Sequence, residues 1–195
     1  VGTVYEQLER ELGDSYPETA VPQLFEFRSW AGSDRDGNPH VTPEVTTETL
    51  QRQRGVVLER YREEFKSLSG VLSHDGPVPG EAFASRLDAD RERLPAVAET
   101  VQERYPDEPY RQKLKLMRER IERVGDVRQG GYDDAGELRA DLAAIEASLR
   151  ADGGDVVADE AVAPLVRQVG TCGVTLGSLA LTEHPATPTR AAPDV

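Results

Sequence analysis

The sequence has few of the residues that mark disulfide-rich, zinc-binding or membrane-spanning proteins. Cys172 is its single cysteine, which excludes an internal disulfide and any cysteine-rich zinc site. Such usage is typical of a reducing compartment, most simply the cytoplasm. No apolar run approaches the roughly 20 residues that span a bilayer, and no basic segment followed by an apolar one indicates a secretion signal. We therefore expect a cytoplasmic protein that does not enter a membrane.

Lysine is also scarce, since Lys66, Lys113 and Lys115 are the only three. The 23 basic residues face 36 acidic ones, for a net charge of −13. This balance argues against nonspecific binding to nucleic acid or to anionic membranes. An acidic, lysine-poor surface suits a protein that works in concentrated salt, and a GC-rich genome gives the same bias, so both explanations stay open.

Apolar spacing predicts helices over most of the 195 residues, although the apolar fraction of 37% is low. The predicted helices are a stripe at Val4–Leu12, Pro43–Leu68, Glu81–Arg104 with a kink or break at Pro95, one starting at Pro109, Glu137–Arg150 and a short one at Ala161–Val169.

The charged positions of these helices, around Arg86–Arg93 and Arg111–Arg123, are predicted to form solvated faces with ion pairs four residues apart. His40, His74 and His184 share no metal-ligand spacing and are predicted to lie in exposed loops.

Two apolar stretches, at about 24–30 and 171–181, predict strands, with Cys172 as a small buried residue of the second. Two strands about 140 positions apart cannot form a stable sheet alone. The pattern therefore favours a slice of a larger α/β barrel over a helical domain with irregular apolar stretches. The chain also opens on Val1 inside a helical pattern, from which we expect a piece of a longer protein.

The stretch richest in potential active-site residues runs from Phe27 to Thr42 and reads F-R-S-W-A-G-S-D-R-D-G-N-P-H-V-T. It holds the single tryptophan and a cluster of polar, turn-forming residues. Thr42 and Pro43 predict the cap and first position of a helix. A strand, a polar loop and a helix in this order present the active-site groups of α/β proteins.

Two other kinds of site fit this stretch poorly. Asp34, Asp36 and Asn38 have the alternating spacing of a calcium loop, but a proline and a valine stand where that loop has glycine and glutamate. A hydrolytic pair of carboxylates at Asp34 and Asp36 is disfavoured because Arg35, between them, would hold both.

The stretch resembles the phosphoenolpyruvate carboxylase motif S-W-x-G-G-D-R-D-G-N-P-x-V-T. Two further segments resemble the same family in the same order. Y-P-D-E-P-Y-R-Q-K-L, from Tyr105, is similar to its E-P-Y-R segment, and V-G-T-C-G-V-T-L-G-S-L-A-L, from Val169, is similar to its R-T-F-G-x-x-L-x-x-L-D-I-R-Q strand. The resemblance covers essentially the whole chain.

This resemblance implies an (α/β)8 barrel with large helical insertions, in a homotetrameric enzyme that uses Mg²⁺ or Mn²⁺. The implied reaction joins phosphoenolpyruvate and bicarbonate to give oxaloacetate and phosphate. Residues 1–195 would be an internal piece of that barrel domain. Its parts would be a strand with an active-site loop (24–42), a helical insertion (43–169), a second strand (171–181) and an irregular tail (182–195).

The resemblance also implies roles for single residues. Trp30 matches the tryptophan that walls the pocket near bicarbonate, and Arg35 and Thr182 are the other substrate-binding positions. The catalytic histidine is expected upstream of this piece, and the metal ligands also lie outside it. The residues expected to shape the loop are Gly32, Asp34, Asp36, Gly37 and Asn38.

Three departures from the family pattern limit these expectations. Ser33 stands where the family has a second glycine, and Ala180 and Thr182 replace the acid and the phosphate-binding arginine of L-D-I-R-Q. Loss of such a cation weakens phosphate binding substantially, and the chain alone is expected to be inactive. The alternative is a non-catalytic helical interaction module of an acidic, salt-adapted protein, supported by the amphipathic helices between Pro43 and Arg150.

Overall fold

Helices make up most of the part of the chain that the computed structural model describes. That part is residues 4, 7, 10–11, 28–29, 31–34, 39–73, 75–76, 79–174 and 178–179. The prediction of a mostly α chain is confirmed. The elements are β1 (Arg28–Ser29), α1 (Pro43–Val71), α2 (Glu81–Arg93), α3 (Pro95–Arg104), α4 (Pro109–Glu122), α5 (Ala135–Ala151), α6 (Asp155–Val157), a π-helical turn (Ala158–Val162), α7 (Ala163–Cys172) and β2 (Ser178–Leu179).

The longest helix, α1, begins where its sequence predicts. Thr42 caps it by accepting a hydrogen bond from the Val45 N–H at 3.4 Å, and Pro43 occupies the first turn. Its first half is largely exposed, whereas its second half enters the core. The side chains that α1 buries are Val57, Leu58, Tyr61, Phe65, Leu68 and Ser69.

The core lies between α1, α4 and α5, with α2, α3 and α7 packed around them. Leu94 separates α2 from α3, since Pro95 cannot continue a helix across its own position. This confirms the predicted break at Pro95. The core residues with no exposed surface are Tyr61, Leu87, Met117, Leu138, Leu142, Ile145, Ala158, Val162 and Val169.

The predicted second strand, 171–181, is wrong at its start, because Thr171 and Cys172 belong to α7. The Thr171 hydroxyl donates to the Arg167 carbonyl at 2.9 Å, a bond that a residue makes within a helix. The helix ends only at Gly173, whose φ of +59° suits glycine. Cys172 is therefore a half-buried residue at a helix end, where burial raises the pKa of its thiol.

β1 and β2 are parallel neighbours, with Arg28 opposite Ser178 and Ser29 opposite Leu179. Each strand has two residues in the described part of the chain. The remaining positions of the predicted strands, 24–27, 30, 175–177 and 180–181, lie outside the described residues. The helices from α1 to α7 thus connect two strands that lie side by side.

A hydrogen bond ties α1 to the end of α7. The Tyr61 hydroxyl, on the buried face of α1, donates to the Gly173 carbonyl at 2.7 Å. Burial raises the pKa of Tyr61 far above its usual value, so the hydroxyl keeps its proton and remains a donor. This bond holds the end of α7 at the point where the chain turns towards β2.

Replacing Tyr61 with phenylalanine should lower the free energy of unfolding by about 1 kcal/mol, because the Gly173 carbonyl loses its donor while the ring stays in place. Urea titration followed by circular dichroism measures this. Tyr105→Phe is the matched control, since the Tyr105 ring contacts cations and its hydroxyl makes no hydrogen bond within the described part of the chain. Equal losses of unfolding free energy in Tyr61→Phe and Tyr105→Phe would contradict a stabilising role for the Tyr61–Gly173 hydrogen bond.

Candidate active-site loop and a buried charge cluster

The loop that follows β1 has a glycine where no other residue fits. Gly32 has a φ of +71°, in the left-handed region that side chains rarely adopt. A Cβ at Gly32 would lie 2.2 Å from Thr49 Oγ1 and 2.8 Å from Thr49 Cβ. Backbone angle and lack of space therefore both require glycine at this position.

The first turns of α1 hold the loop in place. The Thr46 hydroxyl lies 2.6 Å from the Gly32 carbonyl oxygen and 3.2 Å from that of Thr42. A hydroxyl has one proton to donate, and the shorter distance favours Gly32 as its acceptor. Since Thr46 and Thr49 are three residues apart, they share a face of α1. That face supports the loop backbone at Gly32.

Ser33 is buried in the loop, with no exposed surface. Its hydroxyl donates to the Ser29 carbonyl of β1 at 3.4 Å, and the Ala31 N–H donates to the Ser29 hydroxyl at 3.2 Å. The side chain that departs from the family glycine is therefore accommodated inside the turn. The next residue, Asp34, is exposed.

The structure describes only two of the residues predicted to shape or line the site. Gly32 lies against α1, and the Asp34 side chain is open to solvent. The roles of all the predicted site residues therefore stay predictions. The remaining members, outside the described residues, are Trp30, Arg35, Asp36, Gly37, Asn38 and Thr182.

Four charged side chains meet inside the helical core. Asp90 from α2 lies 2.7 Å from Lys113 Nζ and 2.8 Å from Arg120 Nη1, both on α4. Asp141 from α5 lies 3.0 Å from Lys113 Nζ and 3.4 Å from Arg120 Nη1. Each side chain is at most 3% exposed. Two carboxylates and two cations thus form a neutral buried charge cluster.

A tyrosine, a third acid and a third cation extend the charge cluster. The cation is Arg86 of α2, whose Nη1 lies 2.9 Å from Asp141 Oδ1. The Tyr132 hydroxyl donates to Asp141 Oδ2 at 2.9 Å, and the guanidinium of Arg120 lies 3.8 Å from the centre of the Tyr132 ring. Arg120 also pairs with Glu137, at the start of α5. Burial raises the pKa of Tyr132 well above its usual value, so it stays a neutral donor. The cluster thereby joins α2, α4, α5 and the segment before α5.

The balance of charge suits this cluster to holding helices together. Burial raises the pKa of the Asp90 carboxyl, while Lys113 beside it acts in the opposite direction. The oxygens of Asp90 and Asp141 are already taken by cations, so they are not placed to ligate a metal. Among the residues that the structure describes, no group of three or more His, Cys, Asp or Glu side chains could hold a metal ion.

The prediction of solvated faces at Arg86–Arg93 and Arg111–Arg123 is wrong for Asp90, Lys113 and Arg120. The sequence does contain a signal for the burial of Asp90. Asp90 follows Phe83 and Leu87 at helical spacing, so it lies on the buried stripe of α2.

Comparison with known proteins assigns the chain to a family. A family model described as phosphoenolpyruvate carboxylase matches residues 1–192, and the chain belongs to that family. This confirms the resemblance seen in the three sequence motifs. In the described ranges of the chain, no helix combines the length and the hydropathy needed to cross a membrane.

Several curated relatives carry the name phosphoenolpyruvate carboxylase. The one from Xanthomonas euvesicatoria is 33% identical over 197 residues, which cover 100% of this chain and 22% of the relative. The one from Roseiflexus castenholzii is 32% identical over 211 residues, with 98% of this chain and 22% of the relative covered. The one from Methylorubrum extorquens is 38% identical over 173 residues, which cover 83% of this chain and 18% of the relative. The chain thus spans about a fifth of the length of these relatives.

Proposed function

We propose that this chain acts as part of a longer enzyme that carboxylates phosphoenolpyruvate with bicarbonate to give oxaloacetate and phosphate. The observation that carries the proposal is the family match over residues 1–192. Since the matched relatives are several times longer, most of the catalytic machinery would come from outside this chain. The chain alone would be inactive.

In this proposal the two strands belong to an (α/β)8 barrel, and the helices between them form an insertion. Parallel strands need a long crossover connection, and here helices α1 to α7 provide it. Active sites of such barrels lie at the carboxyl ends of the strands. The loop at Gly32 follows the carboxyl end of β1, which supports its proposed place at the mouth of the barrel.

The proposed reaction requires positive charge beside the phosphate and a pocket that excludes water. A bicarbonate oxygen attacks the phosphoryl group, the bond from phosphorus to the enolate oxygen breaks, and carboxyphosphate forms. Carboxyphosphate then yields CO₂ and phosphate, and the enolate carbon attacks CO₂ to form the new carbon–carbon bond. Neutralised phosphate charge and excluded water both favour these steps.

We assign these tasks to the residues of the loop and the second strand. Trp30 would wall the pocket and exclude water. Arg35, held by Asp34 and Asp36, would face the phosphate. Thr182 would offer a neutral hydroxyl where the family has a cation, which is expected to weaken the hold on phosphate.

The Mg²⁺ or Mn²⁺ that the family implies does not fit the described residues. The closely spaced buried acids, Asp90 and Asp141, are occupied by Lys113 and Arg120, and the described part of the chain contains no group of three or more His, Cys, Asp or Glu side chains that could hold a metal ion. We propose, as the family resemblance implies, that the metal ligands lie outside this chain, and we derive no step through the ion.

The remaining proposals concern the assembly and its location. We propose a homotetramer as the full-length state and the cytoplasm as its compartment. The net charge of −13 does not suit nucleic acid or anionic membranes as partners. The expected partners are therefore small anions, phosphoenolpyruvate and bicarbonate.

A graft tests the proposed function. This chain would replace the matching segment of the Xanthomonas campestris relative, which it covers over 197 residues, and oxaloacetate formation would be followed by NADH oxidation with malate dehydrogenase. We expect turnover from the graft and none from the chain alone. Thr182→Arg in the graft should lower KM for phosphoenolpyruvate. A folded graft that is inactive with either residue at position 182 would overturn the proposal and favour the helical interaction module.

A further inference from the structure

We propose that Thr46 is a positioning residue for the carboxylation reaction. Its hydroxyl would fix the backbone at Gly32 and thereby the conformation of residues 31–34, from which the proposed substrate-binding loop continues. This inference rests on the proposed function. It adds a residue of α1, outside the predicted loop, to the machinery of that site.

The hydrogen bond to Gly32 is short and comes from a firm support. Thr46 Oγ1 lies 2.6 Å from the Gly32 oxygen, and Thr46 is half-buried in the first turns of α1. The same helix continues to Tyr61 and Phe65 in the core, which are at most 1% exposed. A hydroxyl carried by such a helix is a fixed reference point for the turn at residues 31–34.

Thr49 supplies the shape of this support, and Thr46 supplies the hydrogen bond. The Thr49 hydroxyl bonds within the helix, to the Val45 carbonyl at 2.8 Å. Its side chain fills the space where a Cβ on Gly32 would lie, 2.2 Å from Thr49 Oγ1. Gly32 therefore lies close to Thr49 and accepts a hydrogen bond from Thr46, so that both side chains hold the same residue of the loop.

The position of this contact separates its effect on rate from its effect on stability. The first half of α1 is largely exposed and carries none of the buried side chains of that helix. Loss of one bond there should open the loop locally and leave global unfolding almost unchanged. A reacting group displaced by a fraction of an ångström should still lower the rate strongly.

The experiment uses the grafted full-length carboxylase with Thr46→Val, Thr46→Ser and a control, Thr47→Val. Thr47 is exposed on the same turn, and its hydroxyl donates only to the helix, at 2.9 Å from the Pro43 carbonyl. We expect Thr46→Val to lower kcat about tenfold, because the half-buried hydrogen bond to Gly32 is lost. Serine should restore the rate, the control should match the parent, and KM and Tm should change little.

The outcomes separate this inference from the proposed function. Equal kcat for Thr46→Val and Thr47→Val in an active graft would overturn the positioning role alone. If the parent graft is inactive, the proposed function fails, and hydrogen exchange in this chain decides the role. Faster exchange at residues 31–34 in Thr46→Val than in Thr47→Val would then support the fixed loop, and equal exchange would overturn it.

Discussion

Replacing Lys113 with methionine should lower the free energy of unfolding of the chain by about 3–5 kcal/mol, the cost of breaking a buried ion pair. Methionine fits the space of the lysine stem but removes the cation that bridges Asp90 and Asp141. Asp90 would then keep Arg120 as its cation, and Asp141 would keep Arg120 and the partly exposed Arg86. Because whole domains are stable by about 5–15 kcal/mol, the loss would bring this one close to unfolding. Urea titration measures it.

Lys66→Met is the matched control, since Lys66 is exposed on α1. We expect it to change stability by less than about 0.5 kcal/mol. The double variant Asp90→Asn, Lys113→Met should lose less than the sum of its single variants, with a coupling of about 1–3 kcal/mol between contacting residues. Additive losses, or a Lys113→Met variant as stable as the control, would show that the charge cluster does not hold the helices.

Replacing Gly32 with alanine should reduce carboxylation by the grafted enzyme about 100-fold, the effect expected of a displacement of roughly 1 Å at a catalytic loop. The new Cβ would lie 2.2 Å from Thr49 Oγ1, and the φ of +71° would be strained for alanine. The loop must therefore leave its position on α1. Initial rates at saturating phosphoenolpyruvate and bicarbonate measure this loss.

Gly55→Ala makes the same chemical change on α1, with the opposite expectation. A Cβ at Gly55 meets nothing within 4 Å, and alanine is favoured over glycine in a helix by about 1 kcal/mol. This control should be slightly more stable and fully active. Adding Thr49→Ala to Gly32→Ala should restore part of the rate, because it removes the 2.2 Å contact with Oγ1 and leaves the 2.8 Å contact with Cβ. A Gly32→Ala enzyme with normal rates would show that the loop conformation does not matter to turnover.

Local signals in the sequence were sufficient to predict most of the helices. Thr42 and Pro43 mark the start of α1 because a threonine cap and a first-turn proline act within a few residues. Pro95 marks the break between α2 and α3 for the same local reason. The family motifs around Gly32 also pointed to a turn, and the structure gives Gly32 a left-handed backbone.

The charge cluster could not be predicted in the same way. Charged residues such as Lys113 and Arg120 alternate with apolar ones on α4, and that pattern is typical of a solvated face. Only the packing of α2 and α5 against α4 shows that these positions face Asp90 and Asp141. A charged residue on an otherwise apolar helix stripe, as at Asp90, is the local feature that indicates a buried ion pair.

The end of α7 shows a second limit of sequence patterns. V-G-T-C-G has two glycines, and alternating apolar residues follow it. Gly170 stays inside the helix, and Gly173 alone takes a positive φ. The Tyr61 hydroxyl, more than 100 positions away along the chain, donates a hydrogen bond to the Gly173 carbonyl and so holds the end of the helix. Such a distant partner leaves no trace in the local pattern.

The parallel pairing of β1 with β2 has a consequence for the order of events during synthesis. When the ribosome has made Arg28, its partner Ser178 is still 150 residues from being translated. Pairing between segments so far apart is slow, because a long loop must close first. The helices from Pro43 to Cys172 are synthesised before β2. We expect them to fold first and to bring β1 and β2 together.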